Sequence, residues 1–364
     1  MARAHPRRNP RIEDTALKMP LPEITLIVPV YNGSQHLRAL LESVLYQSFK
    51  DWACLCVNDG STDSSATIIE DYAGRDSRFK LINKTNTGTG DSRNAGLQQA
   101  QSKYVMFADQ DDLLHHQCFE IAHAYIESSQ ADVLTYEPTL FQKKYVPQPI
   151  SPNDICVEIL SEHPVNQFLS TRKCGSISVW QRIYRRSAIQ GVLFPKITGG
   201  EDHVFITEVA LRASKWAAID VPLYGVRENH SSVSRAIPLW YIENVFQAYH
   251  EIGLLQNKYA VDRNRILKLI HDTAFWFSLS IILRCGRKAD ASRAFSKLSE
   301  QILRAEEKGV LRSDMTYGKA LLFWMLKNNY FFPLRCLAFL FGGLFSFRWI
   351  HRAACQLIFK VAKH

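Results

Sequence analysis

The chain has 364 residues, 46% apolar and 22% charged, which is enough for a packed core and for more than one domain. This composition excludes a disordered chain, a collagen-like repeat and a chain that lies mostly in a membrane. The net charge of +9 sits at the ends: residues 1–20 carry +3, residues 312–364 carry +7, and the 291 residues between them sum to −1. A basic pI of about 9.1 with a near-neutral centre points to an anionic surface met by the ends, such as lipid headgroups. Nucleic acid is not an expected partner.

The first residues, Met1 to Arg8, are charged but have no apolar stretch, so no secretory signal is expected. From Ile24 onward, short apolar runs alternate with helix-length amphipathic stretches. The runs are Ile24–Val28, Ala53–Val57, Phe79–Ile82, Tyr104–Ala108 and Asp132–Tyr136. Leu37, Leu40, Leu41, Val44 and Leu45 recur at helical spacing between the first two, with Ser34 as the expected N-cap. Ile68, Ile69 and Tyr72 mark a second helix, with Asp63 as a cap. This rhythm predicts an α/β fold with a largely parallel sheet covered on both faces. Residues 137–200, rich in proline, read as an irregular insertion over the sheet edge. From about Pro238 the pattern is helical. The expected division is a basic extension over 1–21, an α/β domain over 22–236 and a helical, basic region over 237–364.

Eight cysteines occur without a C-x-x-C spacing, which predicts buried thiols in a reduced intracellular protein rather than a cysteine-built zinc site. Cys54 and Cys56 should share one face of a strand.

In a parallel sheet the loops after the first four strands emerge at one carboxyl edge, where open α/β sheets bind ligands. Those loops are polar and acidic. Asp109-Gln110-Asp111 ends a buried strand, and two such carboxylates repel unless a cation compensates them. Hard oxygen ligands suit Mg²⁺ or Mn²⁺ with diphosphate oxygens completing the shell. The competing reading is an acidic helix start before Leu113. Asp59, inside Val57-Asn58-Asp59-Gly60-Ser61, could accept hydrogen bonds from a nucleobase or ribose, or serve an Asx-turn. Arg93 and Asn94 could reach a sugar or diphosphate. Gly88-Thr89-Gly90 lacks the remaining residues of a phosphate loop.

Four segments in order, Val28-Pro29-Val30-Tyr31-Asn32, Val57 to Asp63, Ser92-Arg93-Asn94-Ala95-Gly96 and Phe107 to Asp112, resemble glycosyltransferase family 2. The similarity extends through Trp180 to Ser187 and Gly200-Glu201-Asp202-His203, ending near Arg235. It implies the GT-A fold, a nucleotide-sugar donor (UDP-linked by the family's habit) and inverting transfer of a hexose or N-acetylhexosamine. By the same resemblance Asp59 binds the nucleoside, Asp109 lies near the ribose, Asp111 holds Mn²⁺ or Mg²⁺, and Asp202 is the general base. Pro29, Tyr31, Asn32, Arg93, Asn94 and Glu201 join the donor site, and Asp109 and His230 are further candidate metal ligands. Asp202 and Glu201 could instead serve only a helix start. His203 could touch diphosphate, and His115 and His116 read as an exposed helix start. The Gln-x-x-Arg-Trp motif of processive synthases is absent: the only Arg-Trp pair is Arg348-Trp349, with Phe345 where glutamine would stand.

Residues 319–361 mix aromatic and basic side chains, but their longest uncharged run, Cys336 to Phe347, is 12 residues, short of the roughly 20 a helical span needs. An interfacial helix on an anionic membrane is one reading and packing on the catalytic domain the other. A glycan or lipid-linked acceptor of bacterial surface polysaccharide or lipopolysaccharide, at the cytoplasmic face of the membrane, is the expected setting. The alternative is a non-catalytic, membrane-associated sugar-nucleotide scaffold.

Overall fold

The computed structural model describes residues 21–151, 155–161, 178–228, 238–259, 261–285, 291–311 and 325–327. The first half alternates strand and helix: β1 (Ile24–Val30), α1 (Leu37–Leu45), β2 (Trp52–Asp59), α2 (Ser65–Arg75), β3 (Phe79–Lys84), α3 (Thr89–Gln99) and β4 (Tyr104–Phe107). β5 (Leu113–Leu114), α4 (Cys118–Ser129), β6 (Val133–Phe141), β7 (Val157–Ser161), β8 (Arg182–Arg185), α5 (Arg186–Ile189), α6 (Glu201–Arg212) and β9 (Lys215–Arg227) follow. Three long helices close the described chain: α7 (Leu239–Tyr259), α8 (Arg263–Cys285) and α9 (Ala291–Glu307).

The strands form one nine-stranded sheet in the order β3-β2-β1-β4-β8-β6-β9-β5, with β7 also pairing β9. β3, β2, β1 and β4 are parallel, as their apolar runs imply. The chain moves from β1 outward to β2 and β3, then crosses back to place β4 on the other side of β1. The crevice beyond the carboxyl ends of β1 and β4 is therefore a topological switch point, where such sheets bind ligands.

Beyond β4 the expectation of a parallel sheet is corrected. β8 lies between β4 and β6 and runs antiparallel to both. The stretch read as an irregular insertion thus supplies sheet: β6 continues to Phe141, and β7 and β8 are paired strands. Single strands of four or five residues amid prolines carry too little periodicity to be recognised.

Alternate residues of the central strands feed two cores. Leu26, Val28, Tyr104 and Met106 face α1, α2 and α4, whereas Ile27, Val105 and Phe107 face Phe194, Phe205 and Val209. α3 rests directly on β1, because a Cβ on Gly96 would lie 2.4 Å from Ile27 Cγ2. The Ser92-Arg93-Asn94-Ala95-Gly96 segment is therefore a packing device as well as a polar one.

Three further expectations change. Helix α1 starts at Leu37 after His36, so Ser34 is not its cap; the Ser34 amide donates to Asp63 Oδ2 at 3.0 Å. The acids at 109–112 do not open a helix, since Leu113–Leu114 is a strand and α4 begins only at Cys118. His115 is buried and its Nε2 lies 2.9 Å from the Gln148 carbonyl, while His116 is exposed. Cys54 and Cys56 do share a face, their sulfurs 3.7 Å apart in the core.

In the helical half, Ile242, Phe246, Tyr249 and Ile252 of α7 pack on Ile266 and Ile270 of α8 and on Phe295, Leu298 and Ile302 of α9. Val204 of α6 belongs to the same core, which ties the bundle to the sheet. No described helix is long and apolar enough to cross a membrane. His230, the extension over 1–20, the 12-residue run from Cys336 and the Arg348-Trp349 pair lie outside the described residues.

Candidate active site

The carboxyl edge gathers the loops after β1, β2, β3 and β4. The first and fourth are braced to each other across the switch point: the Tyr31 amide donates to Gln110 Oε1 at 2.9 Å, and Gln110 Nε2 donates to the Tyr31 carbonyl at 3.0 Å. Asn32, with φ of 48°, accepts the Thr62 amide on its Oδ1 at 2.8 Å and binds the first loop to the second. The middle of the Asp-x-Asp triplet thus fixes the loop that carries Tyr31, which stands 47% exposed over the crevice. Pro29 is buried within β1, one residue short of the strand end.

Asp59 ends β2 and is almost fully enclosed. Its Oδ1 accepts Lys84 Nζ at 2.5 Å and the Thr87 amide at 2.9 Å, and its Oδ2 accepts the Gly88 amide at 2.8 Å. It therefore shapes the Lys84–Gly88 loop that leads into α3. Asn94 is occupied in the same way. Its Nδ2 donates to the Phe194 carbonyl and its Oδ1 accepts the Phe194 amide, both at 2.9 Å. With both ends of its amide on one residue's main chain, Asn94 supports the site rather than facing a ligand.

Arg93 is the hub. One turn into α3 and 3% exposed, it donates from one guanidinium nitrogen to Asp202 Oδ1 and from the other to Asp109 Oδ1 at 3.0 Å, with Glu201 Oε1 at 3.6 Å. Phe194 lies under the guanidinium, 5.3 Å away. Burial opposes its charge, but Asp202, Asp109 and Glu201 together outweigh that and hold its pKa above the ordinary arginine value. Asp202 is pushed up to about 7, chiefly by burial; Arg93 pulls it down, while Glu201 and Asp109 push it up. Its second oxygen has only a long contact, 3.4 Å, to the Val179 amide.

Beside this hub, Asp109, Asp111 and Asp112 crowd one corner. Burial and the Asp109 charge raise the pKa of Asp111, with His36 and Arg227 partly offsetting them. Among the described residues no side chain hydrogen-bonds the Asp111 carboxylate. Asp112 is buried, accepts the Arg227 amide at 2.8 Å and is raised further, by burial and then by Asp109 and Asp111. The Asp109 amide donates to Tyr224 Oη at 2.9 Å, and Trp180 stacks on Tyr224 at 4.6 Å. Five carboxyl groups thus meet two guanidiniums. An excess of negative charge, with one carboxylate left without a side-chain partner, is the donor set a hard divalent cation fits.

Asp202 is delivered by Gly199-Gly200, both at positive φ (100° and 85°). A Cβ on Gly199 would lie 2.6 Å from the Tyr241 ring, and one on Gly200 2.8 Å from Ala248 Cβ. The loop therefore requires glycine for its backbone and for the approach of α7. His203 points away from this site; it is buried edge-on to Tyr249 at 5.8 Å, and desolvation lowers its pKa to about 4. A contact with diphosphate or metal is not available to it. His36 and Arg227 were not singled out in the sequence. They belong to no acid-rich motif, and only the fold carries them to Asp111.

The strand order, the switch-point crevice and the acidic corner define a GT-A nucleotide-sugar transferase fold. Residues 25–193 match the model of glycosyl transferase family 2. Asp202 lies beyond the matched stretch. The chain is 30% identical over 220 residues to the uncharacterized glycosyltransferase EpsJ of Bacillus subtilis, covering 59% of this chain and 63% of EpsJ. It is 28% identical over 248 residues to the glycosyltransferase GlyA of Streptococcus pneumoniae, covering 65% of this chain and 35% of GlyA. It thus spans less than two thirds of either relative. In fold it is similar to Staphylococcus aureus TarS 1–349, solved with UDP-GlcNAc (TM-score 0.61, 21% identity, 87% of this chain and 90% of that one). It is also similar to the Pyrobaculum calidifontis mannosyltransferase PcManGT, solved with GDP-Man and Mn²⁺ (TM-score 0.52, 14% identity, 94% and 86%).

Proposed function

We propose that the protein transfers a hexose or N-acetylhexosamine from a nucleoside-diphosphate donor to a hydroxyl of a glycan or lipid-linked glycan, inverting the anomeric centre. The observation that carries this reading is the Arg93 guanidinium, which bonds the donor-side Asp109 and the proposed base Asp202 at once. UDP is the favoured nucleotide, a choice supported by the UDP-GlcNAc complex of the TarS fold.

Asp202, with one oxygen held by Arg93, takes the proton of the acceptor hydroxyl on its other oxygen. The acceptor oxygen then bonds the anomeric carbon from the face opposite the diphosphate, and the carbon–oxygen bond to the diphosphate breaks, its electron pair leaving with the nucleotide. Attack from the opposite face is what inverts the centre. Asp111, with Asp109 beside it, would hold Mn²⁺ or Mg²⁺. Bound there, the ion would offset the charge that builds on the departing diphosphate. Arg93 keeps Asp202 and Asp109 at fixed separation. Tyr31, set by Gln110, lies where a nucleobase could stack, and Asp59 with Asn32 shapes the floor beneath it. We place the transfer in surface polysaccharide or lipopolysaccharide synthesis at the cytoplasmic face of a membrane, approached through the basic ends of the chain.

The test is a panel of nucleotide sugars with Mn²⁺, Mg²⁺ or chelator, read by thermal stabilisation and by nucleotide release with glycan acceptors. Metal-dependent stabilisation by one UDP-sugar in the wild type, absent in Asp111→Asn, is expected. Donor binding without turnover on any acceptor would replace this reading with a scaffold role.

A further inference from the structure

The opposite edge of the sheet holds a second group of ligating side chains that the transfer reaction does not use. Glu23 immediately precedes β1, and His123 and Glu127 lie four residues apart on α4, so they share one helix face. One atom from each of the three lies within 4.8 Å of the others. The Tyr104 amide donates to the Glu23 carbonyl at 2.9 Å, which fixes this corner to the start of β4. With β1 seven residues long, the group stands about 20 Å from the acidic corner.

Two observations mark it as more than a surface cluster. Glu23 Oε2 and His123 Nε2 are both closed off from solvent, face each other at 3.5 Å, and form no hydrogen bond among the described residues. Two ligands on a tetrahedral ion, at metal–ligand distances of about 2.0 Å, lie about 3.3 Å apart, so this pair is already at ligand spacing. His123 and Glu127 are also oriented from behind. The His123 ring stacks on Phe49 at 4.8 Å and meets Tyr104 edge-on at 5.6 Å. Glu127 receives Lys103 Nζ and Tyr104 Oη, both on Oε1. Oriented outer partners of this kind are the usual support of metal ligands.

We propose that Glu23, His123 and Glu127 form a site for Zn²⁺ or a similar first-row divalent ion, separate from the site at the carboxyl edge. An imidazole with two carboxylates favours such an ion over Mg²⁺. The fourth position is left to water. A bound ion joins the start of β1 to α4 and serves as a structural pin.

The experiment uses the full chain, stripped with chelator, in an Asp111→Asn background that weakens divalent binding at the carboxyl edge. Zn²⁺ alone is titrated by calorimetry and by thermal denaturation. One equivalent bound, with a rise in melting temperature, is expected in that background. Adding His123→Gln or Glu23→Gln should weaken binding at least tenfold and remove the thermal shift. Glu23 lies outside the core, so its variant decides the matter if His123→Gln alters the fold. Absence of bound Zn²⁺ in the Asp111→Asn protein, or an unchanged affinity and shift in Glu23→Gln, overturns the proposal. Neither result depends on sugar transfer.

Discussion

Asp59 and Asp111 both leave the carboxyl end of the same sheet, yet their surroundings are opposites. Asp59 has both oxygens filled by the chain itself, through Lys84 and two main-chain amides. Asp111 is half-buried beside other acids, and no described side chain bonds it. One carboxylate is filled by its own loop, and the other has no side-chain partner among the described residues. Similar acid-bearing segments can thus carry different duties, and the difference lies in whether the fold supplies the counter-charge.

The comparison predicts effects of different kind and sign. The largest concerns chemistry: Asp202→Asn should lower kcat by about a thousandfold, within the range of lost general-base catalysis. Asp111→Asn should cost about a hundredfold in kcat/KM and remove metal dependence, both read by nucleotide release. Next, Asp59→Ala leaves Lys84 with Asp91 alone and the Thr87 and Gly88 amides without their acceptor, and should destabilise the protein by about 3 kcal/mol in chemical denaturation. Asp111→Asn, by contrast, relieves repulsion and should raise stability slightly, by about 1 kcal/mol. Equal losses of stability in the two variants would erase the distinction between them.

Acidity sharpens the contrast further. The Asp202 pKa of about 7 places a rising limb near pH 7 in kcat/KM of the free enzyme. Arg93 pulls that pKa down, so Arg93→Lys should move the limb to higher pH as the hold on Asp202 loosens. The folded carboxyl also binds its proton more tightly than the unfolded one, at about 3.9. Its contribution to stability is therefore full below pH 4 and is lost as pH rises to 7. Asp202→Asn should flatten stability across that window, a smaller effect measured by denaturation at several pH values.

Much of this architecture was readable in the residues. Apolar runs predicted β1, β2 and β4, because strands buried on both faces are nearly continuous in apolar residues, and they also marked β6 and the edge strand β3, where only Phe79 is buried. The acid-rich loops do gather at one carboxyl edge of the sheet, as the strand pattern implied. The connections between distant parts were not readable. Nothing local tells that Arg93 will meet both Asp109 and Asp202, or that Arg227 will pass beside Asp111 and Asp112. The partners of Asp59 were also hidden, since nothing local tells that Lys84 and the Thr87 and Gly88 amides will fill its oxygens. β8 escaped notice because four residues between longer features give no usable period.

The glycine turn that carries Asp202 is held from beneath by Tyr241 and Ala248, residues made later in the chain than the whole sheet. A growing polypeptide acquires the carboxyl edge of its sheet first and the support beneath the Asp202 turn later. During synthesis the order of events is thus built into the sequence: the turn that carries Asp202 gains its backing only once α7 has emerged and docked. A chain made as far as Arg227 holds every described strand of the sheet but not yet the residues that back the Asp202 turn.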